Sequence, residues 1–389
     1  METASITKRI SKSLVMNGTT VVDEAAWNAE LDAKHAKLVE WMRSQKLGGV
    51  VIRRNENVAW ITGGAVELRV LTPAETGVAS LLVTADGKRY YFTTENEAPR
   101  LHDEEFGGLD FEPILFPWYA DDTAAAAAKI ANGPLGSDTP LPGTTAVNLF
   151  PLRASLSETE IARYKWLGAE TAAATVESLK QVEPGLSEYD LEAITAGNLL
   201  RRGILPSVYL YAVDDRVYKY KHAVARGARL KKYAMLNLCS RKWGLAISIT
   251  RFVHFGDLPA ELGARFKSAA QVNAALLDAT KAGATSAELF RVAKNAYTAE
   301  GYPGEERFHH QGGPTGYSER EWVATPEGKE TVVNNQAFAW NPSIRGGKAE
   351  DTVLLLDGRI EWLTSTPELP VINAEVNGKV YPAAGVLVR

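Results

Sequence analysis

The sequence predicts a mixed α/β (α+β) protein built from two domains. Helix, strand and hairpin signals alternate in the first 152 residues, and beyond them a unit of two helices, a histidine and two strands occurs twice. A chain of 389 residues is also longer than most single domains. We therefore place a small mixed α/β domain at residues 1–152 and a duplicated domain at residues 153–389.

In the N-terminal domain, helix and strand patterns follow one another closely. Ala85-Asp86-Gly87 has the chemistry of a hairpin turn. The stretch 132–145 is rich in Gly, Pro, Ser and Thr, so it is either a loop before a last strand or the linker itself. The predicted elements are helices at 25–45 and 123–131 and strands at 48–52, 77–83 and 88–93.

In the C-terminal domain, capping boxes mark the starts of two helices. Ser157 with Glu160, and Thr285 with Glu288, have the residue types and spacing of this motif. Glycine and proline end the predicted helices. The predicted elements are helices at 157–181, 187–202, 259–281 and 285–300 and strands at 233–239, 246–253, 331–341 and 350–356.

The duplication predicts a shared polar site. Asn237 and Ser248 lie in otherwise apolar strands, where buried polar side chains need partners. Two halves related by a pseudo-two-fold axis would bring corresponding positions face to face, and we expect these side chains to line one cavity. The positions are His222, Asn237 and Ser248 in the first half and His310, Asn341 and Glu350 in the second.

Three motifs resemble a known family. Residues 57–64 (NVAWITGG), 249–251 (ITR) and 349–355 (AEDTVLL) are similar to segments of the pita-bread family of aminopeptidase P, prolidase, methionine aminopeptidase and creatinase. The resemblance covers nearly the whole chain. It implies a creatinase-like N-terminal domain, a pita-bread C-terminal domain with duplicated halves, and a homodimer.

The same resemblance implies a divergent metal site. The family's peptidases hold two metal ions on two Asp, one His and two Glu. A pair of divalent ions needs such carboxylates to offset its charge, and here three of them are replaced. We expect no resident cofactor and no dinuclear metal; a weak mononuclear divalent ion at His310 and Glu350, helped by His222, is left open. The matching positions are Asn237, Ser248, His310, Asn341 and Glu350.

The matches also imply residue roles. His222 corresponds to the base of creatinase, and an imidazole suits acid–base chemistry near neutral pH. Glu350 is expected to hold a substrate ammonium or to act as a base whose pKa is raised by burial. Arg320 or Arg345 is expected to bind a substrate carboxylate, and His309 to support its neighbour. The predicted catalytic set is His222, His310 and Glu350; the substrate-binding set is Asn237, Ser248, Asn341 and Arg320.

Three functions are compatible with this site. The first is a metal-independent hydrolase of a small amide, amidine or dipeptide-like C–N bond, with His222 as general acid and base. The alternative is a non-catalytic protein that binds a small-molecule or dipeptide-like ligand, in which Asn237, Ser248 and Asn341 only satisfy one another in the core. The third is a metal-dependent Xaa-Pro peptidase with a rearranged site.

The composition narrows the kinds of partner, disulfide or metal site and cellular location that fit this chain. A net charge of −4 gives no reason to expect nucleic acid or an anionic membrane as partner. The single cysteine, Cys239, excludes an internal disulfide and a multi-cysteine metal site. The first 18 residues have no apolar stretch typical of a signal peptide, so we expect a cytoplasmic protein.

Overall fold

The structure is a computed structural model that describes residues 15–16 and 18–389. Most of the N-terminal segment on which the signal-peptide prediction depends lies outside these residues. Two compact units are present: unit 1 runs to Arg163 and includes Trp243–Leu245, whereas unit 2 comprises Tyr164–Lys242 and Ala246–Arg389. The domain limits 1–152 and 153–389 stay a prediction.

Unit 1 contains one six-stranded sheet and five helices among its described residues. The helices are α1 Glu24–Ser44, α2 Asn55–Ile61, α3 Ala98–Arg100, α4 Thr123–Ile130 and α5 Phe150–Arg153, with a π-helical turn at Leu101–Phe106. The strands are β1 Val15–Met16, β2 Thr19–Thr20, β3 Gly49–Arg54, β4 Thr76–Thr84, β5 Arg89–Thr94, β6 Glu112–Phe116, β7 Leu135–Ser137 and β8 Thr144–Ala146.

The sheet of unit 1 has the strand order β6-β5-β4-β3-β7-β8. The predicted hairpin joins β4 and β5, and Gly87 at its turn has a φ of 90°, which a residue without a side chain adopts at no steric cost. β7 pairs with β3 in parallel. The stretch 132–145 therefore contributes strand residues to the sheet, which favours the interpretation as a loop before a last strand.

Unit 2 carries the duplicated elements. Its helices, counting the shared first turn of α6, are α6 Glu158–Gln181, α7 Glu188–Leu200, α8 Asp215–Lys219, α9 Ala260–Ala279 and α10 Ser286–Ala299, with a 3₁₀ turn at Glu305–Arg307. The strands are β9 Leu205–Val213, β10 Tyr233–Lys242, β11 Leu245–His254, β12 Gly312–Thr315, β13 Gln336–Trp340, β14 Ser343–Ile344, β15 Gly347–Lys348, β16 Asp351–Leu356, β17 Arg359–Trp362, β18 Val371–Val376, β19 Lys379–Ala384 and β20 Val386–Val388.

The repeat is visible in two four-stranded sheets, ordered β20-β11-β10-β9 and β12-β13-β16-β17. Two helices precede the central strands in each half. The second helix of each pair starts with a capping box, at Ser187 and at Thr285. Each of these two cap residues also forms an isolated β-bridge, with Arg229 and Thr331 respectively. The halves thus share an arrangement down to the level of single residues.

One strand prediction is wrong in its start. The sequence predicts an extended segment over 331–341, but β13 begins only at Gln336. Asn335 has a φ of 56°, a left-handed conformation that ends the preceding turn and cannot belong to a strand. In the described part of the chain no helix is long and apolar enough to cross a membrane.

Candidate active site

Glu350 lies at the centre of a buried polar cluster in unit 2. It immediately precedes β16, and only 3% of its surface is exposed. Its Oε2 accepts from Lys348 Nζ and from Asn237 Nδ2, each at 2.8 Å. Its Oε1 accepts from Arg320 Nη2 at 2.9 Å. Oε2 also accepts from the Thr250 hydroxyl, so the carboxylate is engaged by two cations, an amide and a hydroxyl.

The neighbouring wall of the cluster comes from β10 and β11. Side chains two residues apart on a strand point to the same face, and the pairs Asn237 with Cys239 and Ser248 with Thr250 follow this rule. Asn237 Nδ2 donates to Thr250 Oγ1 at 2.8 Å, and Ser248 Oγ lies 3.1 Å from Cys239 Sγ. Arg320 Nη1 donates to Ser248 Oγ at 2.9 Å. The structure thus joins the predicted residues Asn237, Ser248, Arg320 and Glu350.

The charge environment of Glu350 corrects its predicted role. Burial by itself raises the pKa of this carboxyl. The positive charges of Lys348 and Arg320, with the hydrogen bond from Lys348, outweigh burial and lower the pKa to about 2. The expectation of a base with a raised pKa is therefore wrong. Since both oxygens are already held by Lys348 and Arg320, the carboxylate is also a poor grip for a substrate ammonium.

Three histidines form a second cluster. His222 Nε2 lies 2.9 Å from His309 Nε2, so one of these imidazoles donates to the other. The rings of His309 and His310 stack with their centroids 4.5 Å apart, and His222 lies 5.8 Å from His310 between centroids. Each of the three offers a nitrogen within 4.8 Å of the others. His309, expected only to support its neighbour, is thus in direct contact with the predicted base.

The loop that carries His222 is fixed by its neighbour Lys221. Lys221 Nζ donates to Glu305 Oε1 at 2.6 Å and to the carbonyl oxygen of Ser343 at 2.9 Å. His222 itself is exposed, whereas His309 and His310 are half-buried. The preceding lysine therefore anchors the backbone while the imidazole stays open to solvent.

Burial and positive charge keep the imidazoles neutral. Partial loss of hydration is the largest cause that lowers the pKa of each ring, including His222, which its neighbours cover only in part. Lys348 and Arg320 lower the pKa of His222 further, and Glu350 only partly opposes them. The pKa of His310 falls to about 4. At neutral pH these rings can accept a proton or donate a hydrogen bond without carrying charge.

Two predicted residues stand apart from this network. Asn341 follows β13, and its backbone N–H donates to the carbonyl oxygen of Gln311 at 3.0 Å. Its buried Oδ1 has no hydrogen-bond partner among the described residues. Arg345 is exposed in the turn between β14 and β15. Of the two arginines considered for substrate binding, only Arg320 lies in the Glu350 cluster.

Comparison with known proteins supplies the family. The model for metallopeptidase family M24 matches residues 165–357, and the model for the creatinase/prolidase N-terminal domain matches residues 34–202. The chain belongs to metallopeptidase family M24. The pita-bread resemblance and the predicted fold class are thereby confirmed.

Several solved structures share the fold. A prolidase from Pyrococcus horikoshii is 19% identical with a TM-score of 0.72, over 86% of this chain and 98% of that one. An X-Pro aminopeptidase from Thermotoga maritima is 16% identical with a TM-score of 0.71, over 91% and 99%. The N-terminal domain of FACT complex subunit SPT16 from chickpea is 12% identical with a TM-score of 0.62, over 86% and 97%. No curated protein matches the chain in sequence.

The donor set of this M24 member does not fit the pair of metal ions that the resemblance implies. Neutral side chains stand at three of the five matching positions. The fifth, Glu350, binds the ammonium of Lys348 and the guanidinium of Arg320. Two divalent metal ions would have to share this one carboxylate with the side chains of Lys348 and Arg320. The result would be a large excess of positive charge in a buried place, which is unfavourable.

Lys348 is the main residue that the sequence interpretation missed. It is 6% exposed and lies two positions before Glu350 in an extended segment. Alternation along a strand places such a pair on one face. A lysine two residues before a buried glutamate was therefore a usable signal, although lysines next to glycines are more often exposed.

Proposed function

We propose that this M24 member hydrolyses a small amide, amidine or dipeptide-like C–N bond without a metal pair. The observation that carries the proposal is the ion pairing of Lys348 and Arg320 with Glu350, at 2.8 and 2.9 Å. Fixed cations beside a reaction site stabilise negative charge as it develops, which is the electrostatic task of a metal ion in related chemistry. The neutral, exposed His222 nearby supplies an acid–base group.

In the proposed reaction His222 moves the proton. With an amide substrate, water gives a proton to His222 while the water oxygen bonds to the carbonyl carbon, and the C=O electron pair moves to the carbonyl oxygen. The positive charge of Lys348 stabilises that oxyanion. The C–N bond then breaks as His222 returns the proton to the leaving nitrogen, so the products are a carboxylic acid and an amine.

The charge balance supports an anionic substrate. Lys348 and Arg320 contribute two positive charges and Glu350 one negative charge, which leaves one positive charge in excess. The side chain of Arg320 is 14% exposed, and its Nε has no hydrogen-bond partner among the described residues, so one guanidinium donor is left for a ligand. We infer that Arg320 binds a substrate carboxylate, as expected for dipeptide-like molecules.

Replacing His222 tests the proposal. In an assay of Xaa-Pro dipeptides, N-acyl amino acids and guanidino acids, we expect His222→Gln to lower kcat by about 10²–10⁴-fold, the usual contribution of general acid–base catalysis. Strong chelators should not lower wild-type turnover. His102→Gln, at an exposed histidine of unit 1, serves as the control. Full activity of His222→Gln, or loss of activity with chelator, contradicts the proposal.

A second candidate is a binding protein without turnover. The observation in its favour is that both oxygens of Glu350 are saturated by internal donors, as in a purely structural ion pair. One fold neighbour is named as a domain of the FACT complex and not as a peptidase. This candidate predicts saturable ligand binding with no product, so any turnover that depends on His222 contradicts it.

The proposal includes a cytoplasmic homodimer. Its support is the resemblance to creatinase and prolidase, together with the single buried cysteine, which forms no internal disulfide. Light scattering on the purified protein tests the dimer: a mass near twice 42.3 kDa is expected, and a mass near 42.3 kDa contradicts it.

A further inference from the structure

We propose that His222, His309 and His310 form a binding site for one late first-row divalent ion such as Zn²⁺, which shares only His310 with the position implied for the M24 metal pair. The three residues each offer a nitrogen, and these nitrogens lie within 4.8 Å of one another. Three histidines from the protein are a known ligand set for zinc, with one position left open for water. Neither His222 nor His309 matches a metal ligand implied by the family resemblance.

The geometry is close to that of a metal site. Zn–N bonds of about 2.0–2.1 Å hold nitrogen ligands roughly 3.4 Å apart in a tetrahedral arrangement. The nitrogens of His222 and His309 are 2.9 Å apart and must open by roughly 0.5 Å, and no separation in the set must close by more than roughly 1.4 Å. All three histidines lie outside helices and strands, where ring rotations of this size meet little backbone resistance.

Breaking the hydrogen bonds that the three histidines now form costs little when a metal ion binds. Coordination replaces the bond between His222 and His309 and the 3.2 Å bond that His310 Nδ1 accepts from the Gly312 N–H. His309 Nδ1 is buried without a hydrogen-bond partner among the described residues, so the ring has a second nitrogen for coordination or for a water. The two hydrogen bonds of these histidines are thus exchanged for stronger metal–nitrogen bonds.

The charges of the side chains around the three histidines determine which metal ions can bind. The neighbouring Lys348, Arg320 and Glu350 leave one excess positive charge, which disfavours ions held mainly by electrostatics, such as Mg²⁺ and Ca²⁺. Zn²⁺, Ni²⁺ and Cu²⁺ bind imidazole through stronger, more covalent bonds. We therefore expect binding of these ions and none of Mg²⁺ at comparable concentration.

The site has a consequence for the proposed hydrolase. A metal ion on His222 occupies the nitrogen lone pair that the proposed base needs, so occupancy and proton transfer exclude each other. Zinc is then an inhibitor of this protein and not its cofactor. The metal site itself depends only on the histidine geometry, and it is measured without substrate, so it can fail or hold independently of the hydrolase proposal.

Metal titration tests the site directly. Full-length protein is stripped with a chelator, desalted, and titrated with Zn²⁺ by calorimetry and with Co²⁺ by absorption spectroscopy. We expect one equivalent of Zn²⁺, and Co²⁺ bands of a nitrogen-ligated, four- or five-coordinate ion. His309→Gln and His222→Gln should each weaken binding by at least ~100-fold, since losing a direct ligand costs more than losing a supporting contact.

Two controls make the result decisive. His102→Gln removes an exposed histidine outside the cluster and should leave binding unchanged. His222 is itself exposed, so His222→Gln removes a ligand with little effect on folding. The proposal is overturned if no Zn²⁺ binds, or if both variants bind as the wild type does. Binding that survives His309→Gln would instead place the ion on His310 and Glu350.

Discussion

Glu350→Gln is expected to destabilise the protein by about 3–5 kcal/mol. The carboxylate is 3% exposed and balances Lys348 and Arg320. The substitution keeps the shape of the side chain but leaves two cations in a buried place without their counter-charge. Removing one partner of a buried ion pair is far more costly than removing both. Chemical denaturation, followed by fluorescence, measures the loss.

A double variant separates charge from shape. Lys348→Met added to Glu350→Gln removes one of the two uncompensated cations and should recover about 1–3 kcal/mol. Glu361→Gln is the matched control, because Glu361 pairs with Lys165 at 2.9 Å while both side chains are more than 40% exposed. We expect that control to cost less than ~1 kcal/mol. A loss of unfolding free energy below ~1 kcal/mol for Glu350→Gln would contradict the prediction. It would mean that water reaches the Glu350 cluster and that its charges interact only weakly.

The fold was predictable because its signals are local and repeated. Capping boxes, glycine stops and apolar runs have a fixed spacing, and each half confirms the other. Thr285 begins its helix with the predicted reciprocal hydrogen bonds to Glu288. The start of β13 was missed because Val332 and Val333 look like strand residues, and only the left-handed backbone at Asn335 interrupts them.

The site was predictable as a location and less so as chemistry. The duplication predicts that Asn237, Ser248 and Glu350 lie together, and hydrogen bonds through Arg320 join them in one cluster, while their catalytic and binding roles stay predictions. The ionisation of Glu350 depends on Lys348 and Arg320, whose distances along the chain say nothing about their separation in space. Charge pairing of this kind is a tertiary property, so it appears only when the strands are brought together.

His35 is expected to make stability depend on pH below about pH 6.5. It lies on the buried face of α1, is 5% exposed, and meets Phe111 edge-on at 5.9 Å between ring centroids. Burial, and then the positive charges of Arg89 and Lys34, lower its pKa from 6.5 to about 3. The ring is therefore neutral in the folded protein and charged in the unfolded chain at mildly acidic pH.

The direction of this pH dependence follows from which state, folded or unfolded, binds the proton. Between pH 6.5 and pH 3 the unfolded chain binds a proton at this histidine that the folded protein does not, so stability falls as the pH falls through this window. Each tenfold difference in proton affinity is worth about 1.4 kcal/mol, so the loss approaches roughly 4–5 kcal/mol at the acid end. Above pH 6.5 the contribution of His35 is constant.

His35→Leu removes this proton-binding group while keeping an apolar side chain in the helix face. The buried Nδ1 of His35 has no hydrogen-bond partner among the described residues, so its loss orphans no other group. We expect the free energy of unfolding of the variant to fall less steeply than that of the wild type between about pH 6.5 and pH 4. The lowered pKa values of His309 and His310 give a slope of the same sign in both proteins, so the difference between the curves isolates His35.

His102→Leu is the exposed control and should reproduce the wild-type curve. Parallel curves for His35→Leu and the wild type would contradict the prediction, because they would show that His35 takes up its proton while the protein stays folded.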